Sequence, residues 1–394
     1  MKTNKNFLRQ MLRCVLVVFV AMFCFNCAAK NISKDEIEVA SVEDLKVSSE
    51  LADKNAGENT KLVMDYLVNK VYGKKILTGV MDCAWSSSID MDAKVQLDTG
   101  YQTALMGYDF MFATKEDSKN WYSPTQTEKA INWWLNGGLV TFTWHWLDPS
   151  APSGSGASYK PEEMDFRIPY DETTGELKTS SKEFEFIKKD LDTIADRLSL
   201  MQELGVVVLW RPMHEACGNW GTAWGGKAWF WWGYSGPEAY KALYRYMFDY
   251  LTNEKELHNL IWVWNGQGKD WYPGDDVVDI VGHDIYDKNN KNGAGDSYYE
   301  KLIDWSNGTK MCAISECGYV PATESLLKSK SKWLYYMVWN DDDDLQDDTL
   351  DDDDNFWGGT KYNSIKARTT DSFLTDYQIK LGDEDLAELF MKIE

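Results

Sequence analysis

The sequence predicts an α/β protein folded as one closed (β/α)8 barrel. Eight short apolar segments recur along it, most of them preceded by an amphipathic helical stretch. They are continuously apolar rather than alternating, as in parallel strands covered on both faces. Polar and aromatic residues crowd at the carboxyl ends of these segments, where such a barrel carries its working groups.

The elements run in order. Thr60 can cap a first helix, with Leu62, Val63, Tyr66, Leu67 and Val71 at helical spacing and Gly73 closing it. Lys75–Gly79 is the first strand and Ala104–Asp109 the second. Ser123 and Pro124 open a helix, with proline at the first helical position, and Gly137–Gly138 close it. Trp133 and Trp134 lie inside that helix and are expected to pack. Leu139–His145 is the third strand. A loop rich in Pro, Gly and Ser covers 149–180. A long helix over 182–203 follows, with Ile187, Leu191, Ile194, Leu198 and Met201 on one face. Val206–Trp210 is the fourth strand. After a Trp-rich loop and a helix from Pro237 to Leu251 come strands Leu260–Trp264, Val277–Gly282, Lys310–Ser315 and Tyr335–Val338.

The amino-terminal region has a targeting character. Lys2, Lys5, Arg9 and Arg13 precede an apolar stretch from Cys14 to Phe25, and the small Ala28 and Ala29 follow. That stretch suits a signal peptide and is too short for a stable membrane span. Cys27 is a candidate lipid-bearing cysteine, although Cys24-Phe25-Asn26 makes a poor lipobox. The expected organisation is therefore a signal peptide over 1–29, a linker over 30–58 and a catalytic domain over 59–394. The mature protein is expected to be secreted or lipid-anchored through Cys27, and monomeric.

Composition narrows the partners. The formal charge of −22 and the lack of a basic stripe exclude nucleic acid, whereas a neutral polysaccharide is indifferent to that charge. With 19 Trp, 21 Tyr and 15 Phe, the chain has flat apolar surfaces to spare for sugar rings. Cys83, Cys217, Cys312 and Cys317 remain outside the amino-terminal region. They lack paired CxxC spacing, so neither a disulfide scaffold nor a zinc site is expected. Whether Cys217 and Cys317 pair is left open.

The strand ends carry the chemistry. They read Trp144-His145-Trp146, Arg211-Pro-Met-His-Glu215, Trp264-Asn265, His283-Asp-Ile-Tyr286, Ser315-Glu316 and Trp339-Asn340. Three of the four histidines fall in this set. Glu215 and Glu316 are the glutamates among these ends, on strands four and seven, whose side chains can converge over the barrel axis. Two carboxylates facing one bond are what glycoside hydrolysis requires. No cofactor or metal is needed for that reaction, and a zinc reading of the histidines is set aside.

Arg211-Pro-Met-His-Glu-Ala-Cys-Gly-Asn-Trp220, with Trp229-Phe-Trp-Trp-Gly233 after it, resembles the acid/base signature of glycoside hydrolase family 26. Leu257–Asn265, Tyr272-Pro-Gly, Val281–Asp287 and Ile314–Gly318 continue the resemblance in order, over about residues 60–385. It implies an endo-β-1,4-mannanase, with β-1,3-1,4-glucanase and β-xylanase as alternatives on the same barrel. A glycan-binding lipoprotein without catalysis is the alternative from another class. The resemblance implies Glu215 as acid/base and Glu316 as nucleophile. His145 and His214 would line the site of the broken sugar, Tyr286 would hydrogen-bond the nucleophile, and Trp220 and Trp339 would stack on sugars. Arg211 stands near enough in sequence to hold the nucleophile ionised. Gly221–Gly226 reads as an insertion. The acidic run Asp341–Asp354 lacks the glycine and spaced glutamate of an EF-hand and is expected to be a solvated loop.

Overall fold

The computed structural model describes residues 46–84, 90–115, 125–152, 165–218, 228–286, 293–340 and 372–393. Eight parallel strands close on themselves as a TIM barrel. They are β1 (Gly79–Met81), β2 (Leu105–Asp109), β3 (Leu139–Trp144), β4 (Val208–Pro212), β5 (Leu260–Trp264), β6 (Ile280–Ile285), β7 (Met311–Cys317) and β8 (Trp333–Val338). Neighbours pair in chain order, and β7–β8 and β8–β1 complete the ring. Nearly every strand residue is buried, which accounts for the continuous apolar reading.

Helices cover the outside: α1 (Glu58–Tyr66), α2 (Met91–Thr99), α3 (Gln126–Leu135), α4 (Lys182–Glu203), α5 (Gly236–Asp249), α6 (Asp296–Trp305), α7 (Thr323–Lys328) and α8 (Glu384–Lys392). The longest, α4, begins where Ser181 accepts the Phe184 N–H at 3.1 Å. Its buried face carries the five apolar residues expected, each worth roughly 1.5–3 kcal/mol on full burial. Trp133 and Trp134 are buried packing residues, also as expected.

Several boundaries differ from the sequence expectation. The sixth strand begins at Ile280 rather than Val277, because Asp275–Val277 forms a tight 3-10 turn. It then runs on through His283 and Asp284, where polar side chains were expected to mark its end. Within the loop over 149–180, Tyr170–Asp171 and Glu176–Leu177 form a small antiparallel hairpin. The segment 46–57, expected as linker, packs on the barrel instead. Leu51, Asp53 and Ala56 are buried, Asp279 accepts the Ala52 N–H at 2.7 Å, and Asp53 meets His258 Nδ1 at 2.8 Å. Few apolar residues are involved, so polar anchoring of this kind leaves no trace in hydropathy. The carboxyl-terminal strand Gln378–Ile379 pairs with Ile76–Leu77 just ahead of β1, where β2 does not reach.

Candidate active site

The site forms at the carboxyl ends of β3 to β8. After Pro212 the chain makes a sharp turn in which Met213 and Glu215 both take the left-handed conformation, with φ of 52° and 49°. Non-glycine residues there carry about 1–3 kcal/mol of strain, and the surroundings must over-determine the turn. They do. The Glu215 N–H bonds the Asn265 carbonyl at 3.0 Å and the Cys217 N–H the Gly266 carbonyl at 2.9 Å. Tyr240 donates to the Met213 carbonyl and Trp232 to that of His214. The loops after β4 and β5 are thereby zipped together, and the Glu215 side chain turns into the cleft.

Glu316 reaches the same cleft through a bulge in β7. Ile314 pairs with His283 and Glu316 with Asp284, so Ser315 is an extra residue. It lets both Ser315 and Glu316 face inward. Ser315 Oγ donates to Asp284 Oδ1 at 2.6 Å and accepts from Asn265 Nδ2 at 3.1 Å. Gly282 makes room for it: a Cβ at that position would lie 2.5 Å from Ser315 Oγ.

The two glutamates sit in unlike surroundings. Glu316 is held on both oxygens, by Arg211 Nη2 at 2.8 Å and by the Tyr286 hydroxyl at 2.8 Å. Arg211 is fully enclosed and also lies 3.8 Å from Asp284. Burial opposes its charge, yet Glu316 and Asp284 hold its pKa above the ordinary value. Glu215 accepts from Trp229 Nε1 at 2.9 Å and from Gln267 Nε2 at 3.3 Å. Burial, then the charges of Asp284 and Glu316, push its pKa well above the usual carboxylate range, while the Trp229 bond opposes the shift. Burial likewise raises Asp284, with Glu316 adding and Arg211 opposing.

One oxygen from each of Glu215, Asp284 and Glu316 lies within 4.8 Å of the others. These three could hold a cation, but Arg211 already supplies positive charge to two of them. Chemically, the arrangement offers a proton donor and a held carboxylate across a narrow gap.

A wall of rings stands beside them. His145 and His214 meet edge to face with ring centres 4.4 Å apart, and Phe230 lies 4.8 Å from His214 and 5.5 Å from His145. The half-buried Trp339 lies 5.7 Å from His145. Tyr286 keeps 42% of its surface exposed while its hydroxyl turns in to Glu316.

The structure thus brings together Arg211, His214, Glu215, Tyr286, Glu316, His145 and Trp339. Trp220, Gly221–Gly226 and the acidic run over 341–354 lie outside the described residues. His283, grouped with the site in the sequence, points the other way, toward Tyr298 and Trp305 behind the barrel. Cys217 and Cys317 are thiols, so the pairing left open does not form. Asp284, Trp229, Gln267 and Asp109 gave no separate indication in the sequence. Only the polarity of Asp284 inside a strand could have drawn attention to it.

The family model for glycosyl hydrolase family 26 matches residues 52–357. A mannan endo-1,4-β-mannosidase of Thermothelomyces thermophilus is 34% identical over 303 residues, covering 75% of this chain and 58% of that protein. The GH26-CBM35 β-(1,4)-mannanase of Podospora anserina superposes with a TM-score of 0.72 at 30% identity, over 88% of this chain and 70% of that one. The β-mannanase from a symbiotic protist of the termite Reticulitermes speratus, solved with a gluco-manno-oligosaccharide, superposes at 0.70 and 30% identity, over 86% of this chain and 98% of that one. The chain spans about half the length of the curated relatives it matches (58%, 50% and 47%).

Proposed function

The chain belongs to glycosyl hydrolase family 26, and from that premise we propose that it is an endo-acting, retaining β-mannanase. Its substrate is a β-1,4-linked mannan, glucomannan or galactomannan. The names of the relatives support the substrate, and the geometry supports the chemistry.

The observation that carries the mechanism is the contrast between the two glutamates. Glu316, its oxygens held by Arg211 and Tyr286, is suited to attack an anomeric carbon. Glu215, with its pKa driven up by burial, keeps a proton to give. In the first step a Glu316 oxygen bonds the anomeric carbon as the glycosidic C–O bond breaks, and Glu215 protonates the departing oxygen. In the second, Glu215 takes a proton from water, whose oxygen displaces Glu316 and restores the β configuration. Retaining pairs stand about 5–5.5 Å apart and inverting pairs about 6.5–9.5 Å. One oxygen of Glu215 lies within 4.8 Å of one of Glu316, close enough for both carboxyl groups to face a single glycosidic bond.

Reducing-sugar release from galactomannan, glucomannan, lichenan and xylan tests the substrate. The mannans should be cleaved fastest; preference for lichenan or xylan would move the assignment to a β-glucanase or xylanase. Proton NMR of the earliest products should reveal the β-anomer, and an initial α-anomer would refute Glu316 as nucleophile.

A further inference from the structure

Glu215 is held by two donors, one from each of two loops. Trp229 Nε1 bonds Oε2 at 2.9 Å, and Gln267 Nε2 reaches Oε1 at 3.3 Å. Gln267 stands in the loop after β5, and the other end of its carboxamide, Oε1, accepts the Asp284 backbone N–H at 3.4 Å. A backbone N–H only donates, so it faces the amide oxygen and leaves the NH2 for Glu215. One side chain thereby links the turn after β4 to the backbone of β6.

The backbone of Gln267 has a φ of 65°, in the left-handed region that few non-glycine residues adopt. Glycines flank it at 266 and 268, yet the positive φ falls on neither, and Gly268 is extended with a φ of −153°. A glycine would take the left-handed position without steric cost. The neighbours instead press Gln267 into it. The Gly266 carbonyl accepts the Cys217 N–H at 2.9 Å, and a Cβ on Gly268 would lie 3.1 Å from Cys217 Sγ and 2.9 Å from Trp271 Cδ1. Strain kept beside a reacting group points to a use for the strained residue. Here the use is geometric. The bond from Trp229 alone leaves the Glu215 carboxyl free to swing about it, whereas a donor on each oxygen fixes the carboxyl plane. Each oxygen keeps a second lone-pair direction, so a proton still has a place on either.

We propose that Gln267 is a positioning residue for the acid/base: with Trp229 it sets the plane of the Glu215 carboxyl, and so the direction in which Glu215 hands its proton to the departing oxygen. The inference rests on the glycosidase reading. Because Gln267 acts on proton delivery, its loss should be felt in proportion to the leaving group's need for a proton.

Aryl β-glycosides of graded leaving-group pKa, made on the sugar the enzyme prefers, test this on the full chain. Asn and Gly both tolerate a left-handed backbone. Gln267→Asn therefore keeps the turn with an amide one carbon too short, and Gln267→Gly keeps it with none. The first irreversible step, glycosylation, governs kcat/KM. Both variants should lose about 10- to 100-fold in kcat/KM on mannan and on phenyl glycosides, as a misdirected acid does. On dinitrophenyl glycosides, whose leaving group needs little protonation, both should stay within about twofold of the wild type. The dependence of log kcat/KM on leaving-group pKa should thus steepen. Equal losses across the series in either variant, or full activity on mannan in either, would overturn the proposal and leave the glycosidase reading standing. A wild type that cleaves no β-glycan would overturn that reading and the proposal with it.

Discussion

Arg211 and Glu316, 105 residues apart in sequence, meet at 2.8 Å in a fully enclosed salt bridge at the centre of the site. The bridge ties the strand that leads to Glu215 to the strand that carries Glu316. Arg211→Met would leave Glu316 and Asp284 without their countercharge. Breaking a buried pair in this way costs about 3–5 kcal/mol. Urea unfolding should reveal that loss, along with near-complete loss of turnover. Tyr286→Phe removes one hydrogen bond to the same carboxylate and should lower kcat/KM about 10- to 100-fold with little change in stability.

The roles of the two glutamates separate in kinetics. Glu316→Ala should be inactive on every substrate, because no group remains to form the glycosyl-enzyme. Glu215→Ala should still release a good aryl leaving group from an aryl mannoside, then stall, giving a burst. Azide attacks without a base, and should restore turnover with a β-glycosyl azide as product. Rescue of His214→Ala but not of Glu215→Ala would reverse the assignment.

The alkaline limb of the pH–activity profile should report Glu215. A general acid works while protonated, so activity is lost as pH rises through its pKa. Burial and the Asp284 and Glu316 charges raise that pKa, and the Trp229 N–H lowers it. Asp284→Asn removes a raising charge, so the limb should move to lower pH. Trp229→Phe removes the opposing hydrogen bond, so the limb should move to higher pH. Shifts in the same direction would refute the assignment.

Gly282→Ala should disturb the site from outside it. The added Cβ would press on Ser315 Oγ at 2.5 Å, displacing the hydroxyl that holds Asp284. Overpacking of this kind costs about 1–3 kcal/mol. Thermal unfolding should shift down, and the alkaline limb should move with it.

Export follows from the amino-terminal sequence, as a proposal. Processing is expected within 27–29. Labelled palmitate entering through Cys27 marks the anchored form, and a mature terminus at Lys30 marks plain cleavage. A protein that stays inside the cell with Met1 retained would refute export.

The sequence alone determined the barrel, because strands buried on both faces must be continuously apolar and that property is local. It also singled out Glu215 and Glu316 as the glutamates at strand ends, since those ends are where the apolar runs stop, and the fold brings the two together. Tertiary structure alone decided the rest. Side-chain direction within β6 and β7 depends on the bulge at Ser315, so nothing local reveals that Asp284 faces the site and His283 faces away. The anchoring of 46–57 rests on Asp53 and Asp279, whose partners are remote in the chain. The raised pKa of Glu215 likewise depends on neighbours from other strands. Desolvation and Coulomb interactions act through space, and only the folded chain sets those distances.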